Sequence, residues 1–199
     1  MDDLKKYELS QDPIESFLSW HQQAKKLEAD ADAMTLATAT KSGMVSARTV
    51  LYKGMQQEQF CFYTHYNSPK GKELEENPNA SVVFYWPKFQ RQIRAKVSVT
   101  KMNLEDSNKY FYSRPHESQV ASLISQQSEP IADGDTLLKK FQAKQTELNN
   151  KTVPYPENWG GFLLKPYEIE FFIYGENRLN HRFLFRKIDN LWKPQRLQP

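Results

Sequence analysis

Cysteine is nearly absent from this sequence, and its scarcity excludes whole classes of protein. The 199 residues contain one cysteine, Cys61, so an internal disulfide and a cysteine-based metal site are both excluded. Cys61 lies in the strand-like run QFCFYT at 59–64, which is typical of an inert core thiol. The length suits one domain with room for a substantial packed core.

Long apolar runs and a strong charge excess are also missing. No segment approaches membrane-spanning length, and the N-terminal residues MDDLKK lack the apolar stretch of a signal peptide. The net charge is only +3, and Lys and Arg alternate with Asp and Glu along most of the chain. We therefore expect a cytoplasmic protein that binds neither membranes nor nucleic acid, although its charge permits small anionic ligands.

The sequence also lacks the common catalytic motifs. It contains no GxGxxG, no GxxxxGK[ST], no HExxH and no GxSxG. The four histidines, at positions 21, 65, 116 and 181, show no metal-ligand spacing, so no metal site is expected. Because no nucleophile and base form an obvious set, any chemistry would be carried by a cofactor.

Strand and turn signals predict a mainly β (α+β) protein with helical insertions. Polar residues 1–11 predict a mobile N-terminal arm, and Asp12 then caps a helix that starts at Pro13. The expected buried face of that helix carries Ile14, Phe17, Leu18, His21, Ala24 and Leu27. Strands are expected at 34–40, 45–53, 59–64, 80–86, 92–100, 161–165, 168–174, 178–186 and 191–197, and three helices between 103 and 148. No linker or repeat divides the chain, so 1–199 is expected to form one antiparallel barrel domain.

Two segments are candidate phosphate sites. The run SPKGK at 68–72 opens a predicted helix, where backbone N–H groups, the helix dipole and two lysines favour an anion. In the second segment Tyr110 and Arg114 share a helical face, and Ser118 follows just beyond a proline break. For each segment the alternative is an ordinary helix end with polar surface groups.

Two further polar patterns need the fold to be interpreted. Arg48 and Lys53 are five positions apart and point to opposite faces of a regular strand, so sharing a ligand requires a bulge or the strand end. Near the C-terminus, Arg178, Asn180 and Arg182 alternate and are expected on one strand face. Such a face suits a planar ligand that is anionic or rich in carbonyl groups, and the alternative is a solvated edge strand.

Short motifs spread along nearly the whole chain, from about Asp12 to Pro199, carry a resemblance to a known family. They are RTVLYK at 48–53, FYT at 62–64, SPKG at 68–71, RQI at 91–93, YFYSRP at 110–115, SQ at 118–119, QS at 127–128, WGGF at 159–162, EF at 170–171, RLNHR at 178–182 and RLQP at 196–199. In this order they resemble the pyridoxine (pyridoxamine) 5′-phosphate oxidase family.

The resemblance implies an FMN-binding split β-barrel that works as a homodimer, with flavin sites at the subunit interface. The implied reaction oxidises pyridoxine or pyridoxamine 5′-phosphate to pyridoxal 5′-phosphate, in vitamin B6 metabolism, with O₂ as electron acceptor and H₂O₂ as product. By match of position, the implied FMN-binding residues are Arg48, Thr49, Val50, Leu51, Lys53, Tyr63, Thr64, Lys70, Gln92, Gln127, Ser128, Phe172 and Arg182.

The same resemblance implies a substrate site and one catalytic residue. The implied substrate-binding residues are Lys53, Tyr110, Arg114, Ser118, Arg178 and Asn180. Arg178 would lie over the substrate ring, beside the carbon that gives hydride to the flavin. Thus the protein would supply anion-binding groups and orientation, while FMN would carry the redox step.

Three positions depart from the family pattern. Pro69 stands where the family often has Arg beside the phosphate-binding lysine, and Phe172 stands where Trp is common next to the flavin. Asn180 replaces the usual His, so it can form hydrogen bonds but cannot titrate near neutral pH. Two alternatives remain open at this point: an FMN oxidase of secondary metabolism related to the phenazine pathway, and a non-catalytic split-barrel module that binds flavin or haem.

Overall fold

Six α-helices and nine strands make up the described part of the chain, residues 2–199 of a computed structural model. The helices are α1 Asp2–Lys6, α2 Pro13–Leu27, α3 Pro69–Glu76, α4 Leu104–Ser113, α5 His116–Ile124 and α6 Gly134–Glu147. The strands are β1 Ala33–Ala39, β2 Val45–Leu51, β3 Met55–Gln56, β4 Gln59–His65, β5 Asn79–Trp86, β6 Arg91–Lys101, β7 Trp159–Ile173, β8 His181–Ile188 and β9 Leu191–Leu197. None of the helices within residues 2–199 has the length and apolar character needed to cross a membrane.

The strands form one antiparallel sheet in the order β2-β1-β5-β6-β7-β4-β3, with β8 paired to β7 and β9 paired to β8. Helices α4 to α6 are inserted between β6 and β7. The prediction of a mainly antiparallel β protein with helical insertions is therefore confirmed. The long strand β7 lies between β6 and β4 and also pairs with β8, so it joins all parts of the sheet.

Strand β7 corrects one sequence prediction. Two strands, 161–165 and 168–174, were expected, but a single strand passes through Pro166. The register between β6 and β7 shifts between Lys96 and Val97, opposite this proline. Because proline has no N–H to donate, the ladder accommodates it with a local irregularity instead of ending.

Helix α2 packs against the barrel as its capping pattern predicts. The Asp12 side chain accepts a hydrogen bond from the Ile14 N–H at 2.8 Å, which fixes the first turn. Phe17 is fully buried, but Leu18 and Leu27 are 45% and 47% exposed, so their predicted burial is wrong. The buried stripe follows i, i+3, i+4 and i+7 spacing from residue 13 or 17, and it includes Trp20, which the prediction omitted.

Two aromatic clusters hold the fold together. The larger lies inside the barrel, where Phe17, Phe60 and Phe84 form mutual edge or tilted contacts at 4.8–6.0 Å between ring centroids. The smaller lies under the helical insertion, where Phe111 of α4 contacts Trp159 of β7 at 5.3 Å. Trp159 therefore fixes the helical insertion to the sheet, beside the cavity described below.

The N-terminal segment packs on the C-terminal strands. Leu4 and Leu9 are buried, and the Tyr7 ring lies 5.3 Å from the Phe183 ring of β8. The Arg196 guanidinium of β9 pairs with the Asp3 carboxylate. These contacts follow from the apolar side chains within an otherwise polar segment, while the predicted mobility of residues 1–11 stays a prediction.

Candidate functional site

A cavity of about 680 Å³ lies between the ends of β2 and β4, helices α3 to α5, and the start of β7. Twelve of the sequence-predicted site residues line it: Arg48, Thr49, Val50, Leu51, Lys53, Tyr63, Thr64, Lys70, Tyr110, Arg114, Gln127 and Ser128. Six further lining residues had no predicted ligand role: His65, Pro69, Ala121, Ser122, Ser125 and Trp159. The lining set contains four basic side chains and, among the described residues, no Asp or Glu.

The end of β2 brings Arg48 and Lys53 to the same cavity. The strand ends at Leu51, and the Lys53 N–H then donates to the Cys61 carbonyl at 2.7 Å. Gly54 follows with a φ of +92°, a conformation that favours glycine. Side chains stop alternating between the two strand faces before Lys53, so Arg48 and Lys53 both reach the cavity. The end of the strand, one of the two possibilities that the sequence left open, therefore explains how they can share a ligand.

Lys70 is a buried cation with neutral partners. Its side chain is 9% exposed, and Nζ lies 3.0 Å from Gln127 Oε1 and 3.4 Å from Thr64 Oγ1. Burial lowers the pKa of Lys70, and the nearby Arg48 charge lowers it further. A buried ammonium held by amide and hydroxyl oxygens is costly unless an anion joins it. The geometry around Lys70 therefore favours an anionic ligand.

The start of α3 differs from its sequence interpretation in one respect. The Ser68 side chain caps the helix and accepts from the Gly71 N–H at 3.4 Å, while Pro69 has no N–H. Consequently the helix start presents fewer free N–H groups than expected, and side chains must supply most of the anion contacts. Gly71 itself is required by packing, because an added Cβ would lie 2.1 Å from the Tyr66 carbonyl oxygen.

Arg48 is held at the cavity edge by a network beneath it. Its Nη2 lies 3.1 Å from Glu73 Oε2, and its Nη1 donates to Thr38 Oγ1 and to the Leu36 carbonyl. Burial opposes ionisation of Glu73, but hydrogen bonds from Thr38 and Ser46 and the charge of Arg48 lower its pKa overall. The arginine is thus oriented before any ligand arrives.

Arg114 and Tyr110 bring the second predicted anion site into the cavity. Arg114 Nη1 donates to Ser122 Oγ at 2.8 Å, and its guanidinium lies 5.1 Å from the Trp159 ring centroid. Burial lowers the pKa of Arg114, and no carboxylate within residues 2–199 pairs with it. Ser118, predicted beside them, does not line the cavity.

Two serines, one in α5 and one at its C-terminal cap, were missed by the sequence interpretation. Ser122 and Ser125 line the cavity, and they follow Ser118 at spacings of four and three. Residues so spaced share one helical face. This periodicity was a detectable signal, and it would have extended the predicted site by about two helical turns.

An aromatic wall closes one side of the cavity. The Tyr63 and Tyr110 rings stack at 3.7 Å between centroids with an interplanar angle of 13°, and Trp159 stacks on Tyr63 at 5.4 Å. Burial raises the pKa of both phenols, so they remain neutral donors. The wall is flat, rigid and apolar on its faces, which suits a planar ring system.

Gln92, Phe172 and Arg182 lie elsewhere, on an outer-face patch of the sheet. They are direct neighbours in register on β6, β7 and β8, and none of them lines the cavity. Their strand neighbours Ile93, Phe171 and Phe183 point into the core instead. A single chain therefore carries the predicted FMN residues in two separate places.

A buried glutamate organises the outer-face patch. Arg182 Nε and Nη2 donate to the two carboxylate oxygens of Glu170 at 2.8 and 3.2 Å, and Arg94 pairs with the same carboxylate. Burial alone would raise the pKa of Glu170, but its hydrogen bonds with the two arginines lower it. Arg182 Nη1 also donates to the Gln198 carbonyl at 3.1 Å. The orientation of Arg182 is thus fixed from two sides.

The expectation that Arg178, Asn180 and Arg182 share a strand face is wrong. Strand β8 begins at His181, and Arg178 lies in a 3₁₀ turn, Glu176–Arg178. Asn177 and Arg178 have φ values of 53° and 64°, which are incompatible with an extended strand. Arg178 is exposed, whereas Asn180 Oδ1 accepts from the Gly175 N–H at 3.1 Å and stabilises the turn.

Within residues 2–199, no group of three or more His, Cys, Asp or Glu side chains is suited to a metal ion. In the cavity, Lys70 and Arg114 have no carboxylate partner among the described residues, whereas Arg94 and Arg182 of the patch are paired with Glu170.

Comparison with known protein families gives two matches that together span most of the chain. Residues 20–148 match the family described as pyridoxamine 5′-phosphate oxidase. Residues 159–199 match the pyridoxine 5′-phosphate oxidase C-terminal dimerisation region. The first match includes every residue that lines the cavity except Trp159, while the second begins at Trp159 and covers strands β7 to β9.

Individual proteins agree with the family matches. A pyridoxine/pyridoxamine 5′-phosphate oxidase of Leptospira interrogans is 44% identical over 190 residues, covering 94% of this chain and 89% of the relative. One from Coxiella burnetii is 43% identical over 193 residues, covering 96% and 98%.

Solved structures share the fold. PhzG from Burkholderia lata, in complex with tetrahydrophenazine-1-carboxylic acid, gives a TM-score of 0.90 at 27% identity, covering 96% of this chain and 95% of that one. A pyridoxamine 5′-phosphate oxidase-related, FMN-binding protein from Nostoc punctiforme gives 0.77 at 16% identity, covering 96% and 99%. These matches confirm the split β-barrel. With its sequence matched over both family regions, the chain belongs to the pyridoxamine 5′-phosphate oxidase family.

Proposed function

We propose that this protein is an FMN-dependent oxidase that converts pyridoxine or pyridoxamine 5′-phosphate to pyridoxal 5′-phosphate, reducing O₂ to H₂O₂ in vitamin B6 metabolism. The observation that carries the proposal is a single cavity lined by four cations, Arg48, Lys53, Lys70 and Arg114. Following the family pattern, we assign Lys70 and Arg48 to one anion and Arg114 and Lys53 to another. Two anion-binding groups in one cavity suit a phosphorylated cofactor together with a phosphorylated substrate.

The residues present fit FMN. Buried Lys70 lacks a carboxylate partner among the described residues, and the flavin phosphate would supply that charge, with Arg48 and Gln127 alongside. The backbone of residues 49–51 offers an edge to the flavin ring, and Ser128, whose φ is 71°, turns the chain at the cavity. A cavity of about 680 Å³ is large enough for a ligand of this class.

Arg114, Tyr110 and Lys53 would bind the substrate phosphate. Arg114 presents a planar fork whose neutral partner, Ser122, holds it without neutralising its charge. The phenol of Tyr110 is kept protonated by burial and can donate to an anion. Ser118, one helical turn before Ser122, belongs to this set in the family pattern, although it does not line the cavity.

The outer-face patch would complete the site from a second copy of the chain. Gln92, Phe172 and Arg182 do not line the cavity of their own chain, although family position assigns them to the flavin. Val45 and Tyr85 expose large apolar surfaces on the same outer face, and 159–199 matches a dimerisation region. A symmetric homodimer would place each patch against the partner's cavity.

FMN, held by Lys70, Arg48 and Gln127, would supply the hydride-accepting chemistry of the site. Arg178, in the exposed turn before β8, would lie over the substrate ring and orient the reacting carbon. Asn180 supports that turn through Gly175, so its role would be positional, and its amide cannot shuttle protons at neutral pH. The aromatic wall of Tyr63 and Tyr110 would exclude water from the reacting faces.

A phenazine-pathway type of oxidase is the second candidate. It is favoured by the similarity to PhzG, whose structure was solved with tetrahydrophenazine-1-carboxylic acid. An unphosphorylated aromatic substrate has no use for the second group of cations, around Arg114. A non-catalytic flavin- or haem-binding module would not need that group either. These differences favour the phosphate-ester oxidase.

The deciding experiment uses the purified full chain. A bound or bindable flavin should appear in the visible spectrum, and addition of pyridoxine 5′-phosphate in air should yield pyridoxal 5′-phosphate and H₂O₂ in equal amounts. Pyridoxamine 5′-phosphate and unphosphorylated pyridoxine are measured in parallel. Absence of flavin binding would refute every flavin-based function. Flavin binding without turnover would favour the non-catalytic split-barrel module. Equal turnover of unphosphorylated pyridoxine would refute the site for the substrate phosphate.

A further inference from the structure

His65 occupies a fixed place in the cavity, but no role has been assigned to it so far. It is the last residue of β4 and pairs in register with Trp159 of β7. Ser68 Oγ donates to the His65 carbonyl at 2.6 Å, so the backbone is fixed from the start of α3 as well. The side chain lines the cavity together with Pro69 and Lys70.

The imidazole of His65 has no hydrogen-bond partner among the described residues. The ring is half-buried, and burial lowers its pKa, with the charges of Lys70 and Arg114 acting in the same direction. In the ligand-free cavity the ring is therefore neutral at pH 7, with one nitrogen able to donate and the other able to accept.

The charges around His65 come from every neighbouring element. They are Arg48 of β2 with its partner Glu73 of α3, Lys53 after β2, Lys70 of α3, Arg114 between α4 and α5, the phenols Tyr63, Tyr110 and Tyr155, and the carboxylates Glu129 and Glu157 on the adjoining pocket that His65 also lines. Among these groups, Lys70 and Arg114 lower the pKa of His65, because their positive charges disfavour the protonated imidazole. An arriving dianion would offset the positive charges of Lys70 and Arg114 at the ring and so favour the protonated imidazole.

We propose that His65 is an additional ligand for the phosphate bound at Lys70, and that it takes up a proton as the phosphate binds. The proposal rests on the FMN site proposed above and adds a residue to it. Proline at the first position of α3 removes one N–H, and Ser68 occupies the N–H of Gly71. An imidazolium at His65 supplies the charged donor that the helix start does not.

The coupling has a definite sign. If the phosphate binds the protonated form of His65 more tightly, phosphate binding must raise the pKa of the imidazole. Affinity contributed by His65 is then largest at low pH and is lost as the pH rises through the pKa of the bound state. The phosphate monoester acts oppositely, because its own second pKa is about 6 and it loses charge at low pH. Comparison of the wild type with a variant that lacks the His65 imidazole separates these two effects of pH.

The test measures FMN and riboflavin binding to the apo protein by flavin fluorescence, from pH 5.5 to 8.5, in the wild type and in His65→Asn. A charge-assisted hydrogen bond predicts that the variant binds FMN about 10-fold more weakly at pH 5.5 and less than about 2-fold more weakly at pH 8.5. Riboflavin, which lacks the phosphate, should show no such pH dependence. His116→Asn, a substitution outside the cavity, is the matched control.

Calorimetry in buffers of different ionisation enthalpy gives an independent readout. The wild type should take up more protons than His65→Asn on binding FMN at pH 7, and His65→Gln replaces the Asn variant if the latter does not fold. The role of His65 would be overturned, with the FMN site left intact, by either of two results. One is a ratio of FMN affinities of variant and wild type that does not change with pH, and the other is equal proton uptake by the two proteins. Failure of the wild type to bind FMN would overturn the proposed function and this inference together.

Discussion

The cavity and the outer-face patch carry similar cations in opposite electrostatic settings. In the cavity, Lys70 and Arg114 are held by neutral oxygens, and burial lowers the pKa of both. On the patch, Arg182 shares the buried carboxylate of Glu170 with Arg94. A buried cation without a carboxylate partner is available to bind an anionic ligand, whereas a cation paired with a carboxylate is held in one orientation. The two regions therefore should respond differently when their central residues are removed.

The largest effect is expected from Lys70→Met. Loss of the buried ammonium should weaken FMN binding by about 100-fold, while the apo protein should be as stable as the wild type or more so, because a desolvation penalty disappears. Fluorescence titration and urea unfolding of the apo protein measure the two quantities. Lys72→Met, at an exposed position of the same helix, is the control. Equal loss of affinity in both variants would contradict the assignment.

Glu170→Gln should give the opposite pattern, with a loss of about 2 kcal/mol in the free energy of unfolding, because two arginines lose their shared carboxylate. Glu168→Gln is the control, since its partners Lys96 and Arg186 are exposed and its loss should stay below about 1 kcal/mol. Unfolding in urea measures both losses. Equal losses of unfolding free energy in the two variants would show that the burial of Glu170 does not strengthen its contribution to stability.

The stability of the wild type should also depend on pH through Glu170. Its folded-state pKa is lowered, so its contribution is fully present above the ordinary value of 4.5 and is lost as the pH falls through the folded-state pKa. Between pH 6 and pH 3 the wild type should therefore lose more stability than Glu170→Gln. If the free energy of unfolding fell equally with pH in the two proteins, Glu170 would not be a source of the pH dependence.

Arg114→Ala should separate the two groups of cations inside the cavity. The KM for pyridoxine 5′-phosphate should rise about 30-fold, whereas the Kd for FMN should change less than about 3-fold. Arg114→Lys keeps the charge but loses the fork and the contact with the Trp159 face, so it should lie between wild type and Ala. Comparable losses in both constants would mean that the cavity has one anion site instead of two.

The smallest effect is expected from Arg178→Ala. The turn that carries Arg178 is exposed and, within the described residues, no ion pair joins it to the rest of the chain. Stability and FMN binding should not change, while the rate constant of flavin reduction should fall about 10-fold because the substrate ring loses its orienting group. Stopped-flow absorbance under anaerobic conditions measures this step. An unchanged rate would remove Arg178 from the proposed chemistry.

Much of the fold and of the cavity could be predicted because local signals agreed with the final structure. The hairpin of β1 and β2, the cap at Asp12 and the start of α3 at Pro69 all follow from turn and capping residues. The motif residues from 48 to 70 meet in one cavity because β4 lies beside the chain that leaves β2, where Lys53 is hydrogen-bonded to Cys61.

The failures have physical causes as well. Arg178 could not be placed because two consecutive non-glycine residues adopt positive φ, which alternation in the sequence does not reveal. Leu18 and Leu27 are as apolar as their buried neighbours, and only the packing of α2 on the barrel decides which face is covered. The separation of Gln92 from the cavity depends on sheet topology, and no local pattern encodes that topology.

Strand β7 has a consequence for how the molecule is made. It pairs Phe62 with Phe162, so the barrel closes only after a contact between distant parts of the chain. Contacts of this kind slow folding, since the loop between them must be ordered first. A chain emerging from the ribosome already contains Lys53, Lys70 and Arg114 before Trp159 is synthesised. We therefore expect that the cavity is completed after synthesis and that cofactor capture is a late step of maturation.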